Sequence, residues 1–180
     1  MLSNIALNNG SNAQDLRRIT DSAQDILMPD IDSTDRLILN ELQLDGRVSH
    51  AELASRIGLS TSACHRRVRR LEADGVIAGY AMILDTEAIG RDLDVFVEVS
   101  LVSQSEESLG RFEEEVRNCP EVMSCHLVAG DADYLVHLAV QDHRDFERIH
   151  NQHLSRLAGV ARLRSNFAIR TVYQTTRHLL

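Results

Sequence analysis

Hydrophobic residues follow two different spacings along this chain, and the change between them divides the sequence into two parts. Between residues 32 and 74 they recur every three or four positions, which is the spacing of a helix with one apolar side. After residue 92 they alternate with polar residues over short stretches, and a period of two is typical of β-strands. The pattern predicts a helical first part and a second part that mixes strands with helices.

Three short helices are expected in the first part. Asp32 is placed to cap the first helix, and Ser49 with Glu52 forms a capping-box pattern at the start of the second. A tight Gly-Leu-Ser connection leads to a further capping serine, Ser60, before the third helix. The apolar stripe predicted for the first helix consists of Leu37, Ile38 and Leu42. An extended segment, predicted as a strand, follows over residues 76–84.

The second part has the order strand, helix, strand, strand, helix, strand, which is the split βαββαβ plan of ferredoxin-like domains. The four strands are predicted at Val95–Leu101, Val122–Ala129, Tyr134–Val140 and Val160–Val172. Tyr134–Val140 is apolar on both faces, and two helices cover only one face of such a sheet. A second copy of the sheet is the simplest cover for the other face, so we expect a homodimer. The fold class is α+β, a helix–turn–helix domain, winged or extended, followed by a ferredoxin-like domain.

An N-terminal extension is expected to precede the two domains. Residues 1–30 are rich in polar residues and are predicted to be a mobile arm, with a docked helix as the alternative because a few apolar residues have helical spacing. Residues 31–84 are assigned to the helix–turn–helix domain with its following strand, residues 85–92 to a linker, and residues 93–180 to the αβ domain.

The distribution of charge changes what the composition suggests. The formal net charge of −8 argues against nucleic acid as a partner, because proteins that bind phosphates usually carry basic surfaces. However, residues 47–70 carry six arginines against one acid, a net charge of +5, and this segment contains most of the helix–turn–helix. The acidic residues lie outside it. The local charge therefore favours a nucleic-acid partner where the overall charge does not.

Several features predict a cytoplasmic protein that does not enter a membrane. No apolar run approaches 18 residues, the length that a membrane-spanning helix needs. The first basic residue is Arg17 and no unbroken apolar stretch accompanies it, so the N-terminus lacks the pattern of a secretory signal. Three cysteines are an odd number in a long chain and fit a reducing compartment better than a disulfide framework.

The third helix is the candidate for contact with double-stranded DNA. At about 100° per residue, Cys64, Val68 and Leu71 share the side that faces the core. The opposite side presents arginines and small hydroxyls, which suit the base edges of the major groove. A solvated basic helix is the alternative, but the capped helix and the tight turn before it favour DNA. The candidate DNA-binding residues are Arg47, Arg56, Ser60, Thr61, Ser62, His65, Arg66, Arg69 and Arg70.

No motif for catalysis, metal binding or a cofactor is present in the sequence. The chain has no GxGxxG, Walker loop, GxSxG or HExxH pattern. His150 and His153 form one candidate pair and His126 and His137 another, but no cysteine or acid completes a ligand set. We therefore predict neither an enzyme nor a metal site, and no cofactor.

Residues 31–175 resemble the Lrp/AsnC (leucine-responsive, feast/famine) family of transcription regulators. The motifs LDGR, ELASRIGLS and RVRRLE carry the resemblance in the first part, and CHLVAGDADYLV carries it in the second. The resemblance implies a regulator that forms dimers and often larger rings, with an amino acid that binds between αβ domains and changes their assembly. The N-terminal extension is longer than is usual for this family.

The resemblance also assigns roles to particular residues. It implies that the third helix contacts DNA and that the turn at residues 130–134 borders the effector pocket. The effector-binding residues implied are Gly130, Asp131, Asp133 and Tyr134. Glycine and aspartate are equally the ordinary residues of a hairpin turn, so the residues alone leave that turn open between a ligand site and simple turn chemistry.

Two other functions remain as alternatives. Sirohaem decarboxylases, which are enzymes of haem biosynthesis, resemble the same two-domain arrangement and use histidines, of which this chain has eight. The six arginines of residues 47–70 speak against that enzyme. The second alternative is a ligand-binding module whose helix–turn–helix contacts another protein.

Overall fold

The computed structural model describes residues 30–180 and divides them into two compact units. The first unit holds the described residues up to Ala81 together with Thr176–Leu180, and the second holds Met82–Thr175. The prediction of an N-terminal arm falls on residues that lie, except for Asp30, outside the described part of the chain. The predicted linker, 85–92, falls at the start of the second unit.

Three capped helices form the first unit, as the sequence predicts. They are α1 (Ser33–Leu44), α2 (His50–Ile57) and α3 (Thr61–Ala73). Side chains of Asp32, Ser49 and Ser60 accept hydrogen bonds from backbone amides at the three N-termini. The reciprocal capping box is formed by Asp32 and Asp35, whereas in α2 only the serine half is present. Gly58 ends α2 in the left-handed conformation, at φ 71°.

The core of the first unit lies between these helices, and one residue predicted for it is wrong. Leu37 is half exposed, whereas its neighbours Ile38 and Leu39 are buried. At about 100° per residue, Ile38, Leu39 and Leu42 share one arc of α1 and Leu37 points away from it. The buried residues are Ile38, Leu39, Leu53, Ala54, Cys64, Val68 and Leu71.

The strand expected after the third helix does not form within the described residues. Val76 and Ile77 pack against the helical core instead, and the amide of Ile77 bonds the carbonyl oxygen of Leu71 at 3.0 Å. Tyr80 then donates its hydroxyl to Glu72 at 3.1 Å. The prediction was wrong because an extended segment becomes a strand only when a second segment pairs with it.

The last residues of the chain belong to the first unit. The side-chain amide nitrogen of Gln43 donates to the carbonyl oxygen of His178 at 3.2 Å, and its oxygen accepts from the amide of the same residue. The predicted αβ domain extended to residue 180, whereas Thr176–Leu180 group with the first unit, in which His178 bonds Gln43 of α1.

The second unit has the predicted βαββαβ order. Its elements are β1 (Leu93–Leu101), α4 (Glu106–Arg117), β2 (Val122–Leu127), β3 (Tyr134–Val140), α5 (His143–Gln152) and β4 (Val160–Phe167). The sheet has the order β2-β3-β1-β4, and every neighbouring pair is antiparallel. The α+β fold class is therefore confirmed. β2 and β4 end earlier than predicted, and α5 stops before a short 3₁₀ turn, Leu154–Arg156, that leads to Leu157.

Within the second unit, helices cover one face of the sheet. Alternate residues of β1 and β3 are buried beneath Phe112 of α4 and Ile149 of α5. No helix of Met82–Thr175 covers the other face. Its side chains are those of Asp94, Phe96, Glu98, Ser100, Leu135, His137, Ala139, Arg162, Arg164 and Asn166.

Candidate functional site

The outward face of α3 is built by the core beneath it. Cys64, Val68 and Leu71 are buried, so the opposite side of the helix faces solvent. Ser60 fixes the start of the helix by accepting the amide of Ala63 at 3.3 Å. The exposed residues of α3 that belong to the predicted DNA-binding set are Thr61, Ser62, His65, Arg66, Arg69 and Arg70.

The polar side chains at the start of this face are partly ordered by their neighbours. The hydroxyls of Ser60 and Ser62 lie 3.3 Å apart and share a hydrogen bond. The ring of His65 meets the ring of His50 edge to face, with centroids 4.9 Å apart. These contacts fix where the first turn of α3 holds its donors and acceptors.

The six arginines of residues 47–70 fall into two groups. Arg47 and Arg66 form no ion pair with any residue in 30–180, and Arg69 lies 3.9 Å from Glu72 while remaining largely exposed. The other three are held by carboxylates in the first unit. Those three are Arg56, Arg67 and Arg70.

Arg56 was predicted as a phosphate contact, and the structure places it between two acids. Its guanidinium lies 2.7 Å from Glu52 and 3.1 Å from Glu41. These hydrogen bonds, first to Glu52 and then to Glu41, raise the pKa of the arginine above its ordinary value. A phosphate group would have to compete with both carboxylates for this side chain.

Sequence reasoning missed Asp35, which holds two arginines of α3. Its carboxylate is fully buried and bonds the guanidinium groups of Arg67 and Arg70. The signal was available: Asp35 lies three residues after the capping Asp32 and on the same arc of α1 as the apolar stripe. A charged residue at that position needs a partner, and the arginines of α3 provide two.

The turn predicted to border the effector pocket also makes hydrogen bonds that stabilise the second unit. Asp133 donates its amide to the carbonyl oxygen of Val99 at 2.9 Å, and its carboxylate accepts the amide of Leu101 at 2.7 Å. The Gln104 side chain adds a contact at 3.3 Å. Gly130 and Asp131 are exposed at the tip. The four predicted residues lie close together in the sequence, but the structure gives them different surroundings.

Tyr134 is buried beneath α4. Its ring packs on Phe112 with centroids 4.5 Å apart, and its hydroxyl donates to Glu113 at 2.9 Å. Burial, followed by the hydrogen bond to Glu113, raises the pKa of the tyrosine well above its ordinary value. The side chain is therefore a neutral donor at any physiological pH.

A cavity of about 390 Å³ opens beside this tyrosine, and volumes of this order hold small organic ligands. Glu113 and Arg117, which lie one turn apart on α4, pair at 3.7 Å, and burial raises the pKa of the Cys125 thiol to about 11. The cavity thus offers one carboxylate, one guanidinium and neutral thiols. Its lining residues are Glu113, Val116, Arg117, Cys119, Val122, Cys125, Leu127 and Tyr134.

Two of the four histidines noted in the sequence, His137 and His150, contact neighbouring side chains. His137 lies 2.7 Å from a carboxylate oxygen of Asp94 and stacks on Phe96 with centroids 4.7 Å apart. Over residues 30–180, no three histidine, cysteine or acidic side chains are grouped in a way that could hold a metal ion. Within the same range, no helix has the length and apolar character needed to cross a membrane.

The fold and its surface define a class of proteins: two-domain regulators with a helix–turn–helix unit and an antiparallel αβ unit. Residues 31–78 match the family model for winged helix-turn-helix DNA-binding domains, and residues 94–178 match the model for the Lrp/AsnC ligand binding domain. The chain belongs to the Lrp/AsnC family of transcriptional regulators.

Relatives from several bacteria are similar to the chain over most of its length. The leucine-responsive regulatory protein of Escherichia coli is 41% identical over 148 residues, which span 82% of this chain and 90% of that protein. A Neisseria meningitidis transcriptional regulator, solved in complex with L-methionine, has 34% identity and a TM-score of 0.77 over 82% of this chain and 95% of its own. A Mycobacterium tuberculosis feast or famine regulatory protein, also solved with L-methionine, has 36% identity and a TM-score of 0.76 over 83% of this chain and 99% of its own.

These relatives are regulators, so they favour the regulatory interpretation over the sirohaem decarboxylase alternative. The domain models agree, because one describes DNA binding and the other ligand binding. The family evidence therefore points to a DNA-binding regulator rather than to an enzyme.

Proposed function

We propose that the protein binds specific double-stranded DNA through α3 and that a free amino acid, bound to the second unit, changes this binding. The observation that carries the proposal is the outward face of α3, where Arg66 and Arg69 are exposed on a helix fixed by a cap and a core. Arginine forms bidentate contacts with guanine in the major groove, and serine or threonine hydroxyls adapt to several bases. The cytoplasm is where such a protein meets its operator.

The arrangement supports a division of labour among the predicted DNA contacts. In helix–turn–helix proteins the first residues of the recognition helix meet base edges, so Thr61, Ser62 and His65 are the contacts nearest the bases together with Arg66. Arg47 lies in the connection before α2 and is exposed, which suits a phosphate contact. For a dimer, the expected operator is roughly palindromic, with half-sites about one helical turn apart.

A binding titration tests the proposal directly. The protein is titrated against a duplex from the region upstream of its own gene and against a scrambled duplex of the same composition. We expect tighter binding to the upstream duplex and a steep loss of affinity with salt, because arginine–phosphate contacts release counterions. Equal affinity for the two duplexes at every salt concentration would contradict sequence-specific binding.

An apolar amino acid is the proposed effector. Two solved relatives contain L-methionine, and the Escherichia coli relative is a leucine-responsive protein. The region that we assign to the effector comprises the turn with Gly130, Asp131 and Asp133 and the cavity lined by Tyr134. A ligand that binds only the folded state raises the melting temperature. A thermal-shift screen of the twenty amino acids should therefore give its largest shifts with methionine and leucine, and a flat screen would contradict the assignment.

Homodimerisation through the open sheet face is part of the same proposal, with larger assemblies built from dimers. Phe96, Leu135 and Ala139 give this face apolar surface, and Glu98 lies 3.8 Å from Arg164 on it. A second copy would cover this apolar surface and meet both signs of charge. We expect sedimentation at micromolar concentration to show a dimer or a multiple of it, and Phe96→Asp to lower the assembly state. A strictly monomeric wild-type protein would exclude this interface.

A further inference from the structure

Asp35 is the one charged side chain that is fully buried among the residues the structure describes. It lies on the arc of α1 that Ile38, Leu39 and Leu42 occupy, because three residues back along a helix returns to the same side. A carboxylate in such a place is costly unless opposite charges and hydrogen bonds satisfy both of its oxygens. Its partners therefore decide what it does.

Both oxygens of Asp35 are fully used. One accepts from Arg67 at 2.9 Å, and the other accepts from Arg70 and from the amide of Asp32 at 3.1 Å. Asp32 strengthens the same cluster, since its own carboxylate accepts a hydrogen bond from Arg67 at 2.7 Å. Four charged side chains thus join the N-terminus of α1 to the second half of α3.

The geometry of α3 separates these two arginines from the outward face. At about 100° per residue, Arg66 and Arg69 lie on one arc with Ser62, whereas Arg67 and Arg70 lie on the shoulder of the helix. That shoulder faces α1, as their contacts with Asp35 show. The arginine run of α3 therefore alternates between two directions, one toward solvent and one toward a buried acid.

We propose that Asp35 is a positioning residue for DNA recognition. It holds Arg67 and Arg70 against α1 and thereby sets the orientation of α3. Other arginines then face the DNA. Arg56 is withheld in a similar way by Glu41 and Glu52. The arginines of residues 47–70 that then face DNA in each half-site are Arg47, Arg66 and Arg69. This inference rests on the proposed function, in which α3 contacts DNA.

The salt dependence of binding shows how many arginines of this segment neutralise phosphates. The logarithm of the association constant falls with the logarithm of salt concentration by about 0.9 for each phosphate neutralised. A dimer in which Arg47 and Arg69 each neutralise one phosphate per half-site should show a slope of about −4 from this segment, against about −9 if Arg56, Arg67 and Arg70 did so as well. The slope counts charges on DNA and is insensitive to a uniform loss of folded protein.

The experiment compares single variants on the upstream and scrambled duplexes over a range of salt concentrations. Arg47→Ala should flatten the slope by about 2 per dimer, because one phosphate contact is lost from each half-site. Arg67→Ala and Arg70→Ala should leave the slope unchanged. Asp35→Asn should free two arginines per half-site, steepen the slope by about 3 to 4, and reduce the preference for the upstream duplex at least tenfold.

The outcomes separate this inference from the proposed function. Slopes that flatten as much in Arg67→Ala and Arg70→Ala as in Arg47→Ala would overturn the inference, even with specific binding intact. Where Asp35→Asn fails to fold, as judged by its thermal transition, the arginine variants decide the matter by themselves. If the wild-type protein binds neither duplex, the proposed function is wrong and the inference is wrong with it.

Discussion

The outward face of α3 and the turn at residues 130–134 both contain polar side chains but use them differently. On α3, the buried side chains and the pairing of Arg67 and Arg70 with Asp35 hold the helix in place. Arg66 and Arg69 therefore keep N–H donors available on a fixed element. In the turn, the carboxylate of Asp133 and the hydroxyl of Tyr134 are themselves part of the framework.

The difference shows that a side chain's remaining hydrogen-bonding capacity, rather than its type, decides whether it is available to a ligand. A buried donor or acceptor that already has a partner stabilises the fold, and a ligand that takes it must replace that partner. The outward face of α3 has separate residues for the two tasks. In the turn at residues 130–134, the residues proposed for the effector also stabilise the fold, so we expect mutations there to affect stability first.

The largest effect is expected at Tyr134. Tyr134→Ala removes a buried ring packed on Phe112 and should lower the free energy of unfolding by about 3–5 kcal/mol. Tyr134→Phe is the matched control, because it keeps the ring and loses only the bond to Glu113, at a cost of about 1 kcal/mol. Chemical denaturation of both variants checks this. If Tyr134→Ala lowers the free energy of unfolding by less than the roughly 1 kcal/mol expected for Tyr134→Phe, this side chain does not stabilise the fold.

The next effect is on DNA affinity rather than stability. Arg66→Ala should weaken binding to the upstream duplex by about 1–3 kcal/mol, or roughly 10- to 100-fold, while the thermal transition stays unchanged. Arg111→Ala on α4 is the control, since it removes an exposed arginine from a helix of the other unit. Fluorescence anisotropy at one salt concentration measures both. Equal affinities of Arg66→Ala and Arg111→Ala for the upstream duplex would show that α3 is not the recognition helix.

A smaller effect distinguishes the two aspartates of the turn. Asp133→Asn weakens the bond with the amide of Leu101 and should cost about 1.5 kcal/mol of stability, because bonds to a charged acceptor are the stronger kind. Asp131 is exposed and makes no hydrogen bond within residues 30–180, so Asp131→Asn should change stability by less than about 0.5 kcal/mol. Thermal denaturation of the pair checks the contrast. Similar losses in both variants would mean that the turn is held together as a whole.

Sequence reasoning predicted the elements better than the use of individual side chains. The three helices and the βαββαβ order follow from periodicity and from local capping by Asp32, Ser49 and Ser60, all of which act within a few residues. The strand expected over 76–84 was wrong because pairing depends on a distant partner, which local spacing does not reveal.

The candidate site shows the same limit. The basic segment and the outward direction of Arg66 and Arg69 follow from helix geometry, but the arginine–carboxylate pairs do not. Arg70 and Asp35 are 35 residues apart, and only the packing of α3 on α1 brings them together. The Tyr134 hydroxyl likewise depends on Glu113, which belongs to a different element. The assigned DNA contacts and effector contacts stay predictions that the variants above test.

The smallest effect concerns acid stability, and it compares one carboxylate in each unit. The amide of Asp35 and then the guanidinium of Arg67 hold the pKa of Asp32 at about 2, below its ordinary value of 3.8. A lowered pKa means that the folded state binds a proton less readily than the unfolded state, so this stabilisation is complete above pH 3.8 and disappears as the pH falls toward 2. Hydrogen bonds from Arg148 lower the pKa of Asp145 in the second unit in the same sense. Melting temperatures measured from pH 5 to pH 2 should therefore fall less in Asp32→Asn than in the wild-type protein, and likewise in Asp145→Asn. If the Asp32→Asn curve runs parallel to that of the wild type, Arg67 does not stabilise the charged form of Asp32 in solution. Asp35 is then the only one of the two acids that holds the arginines of α3.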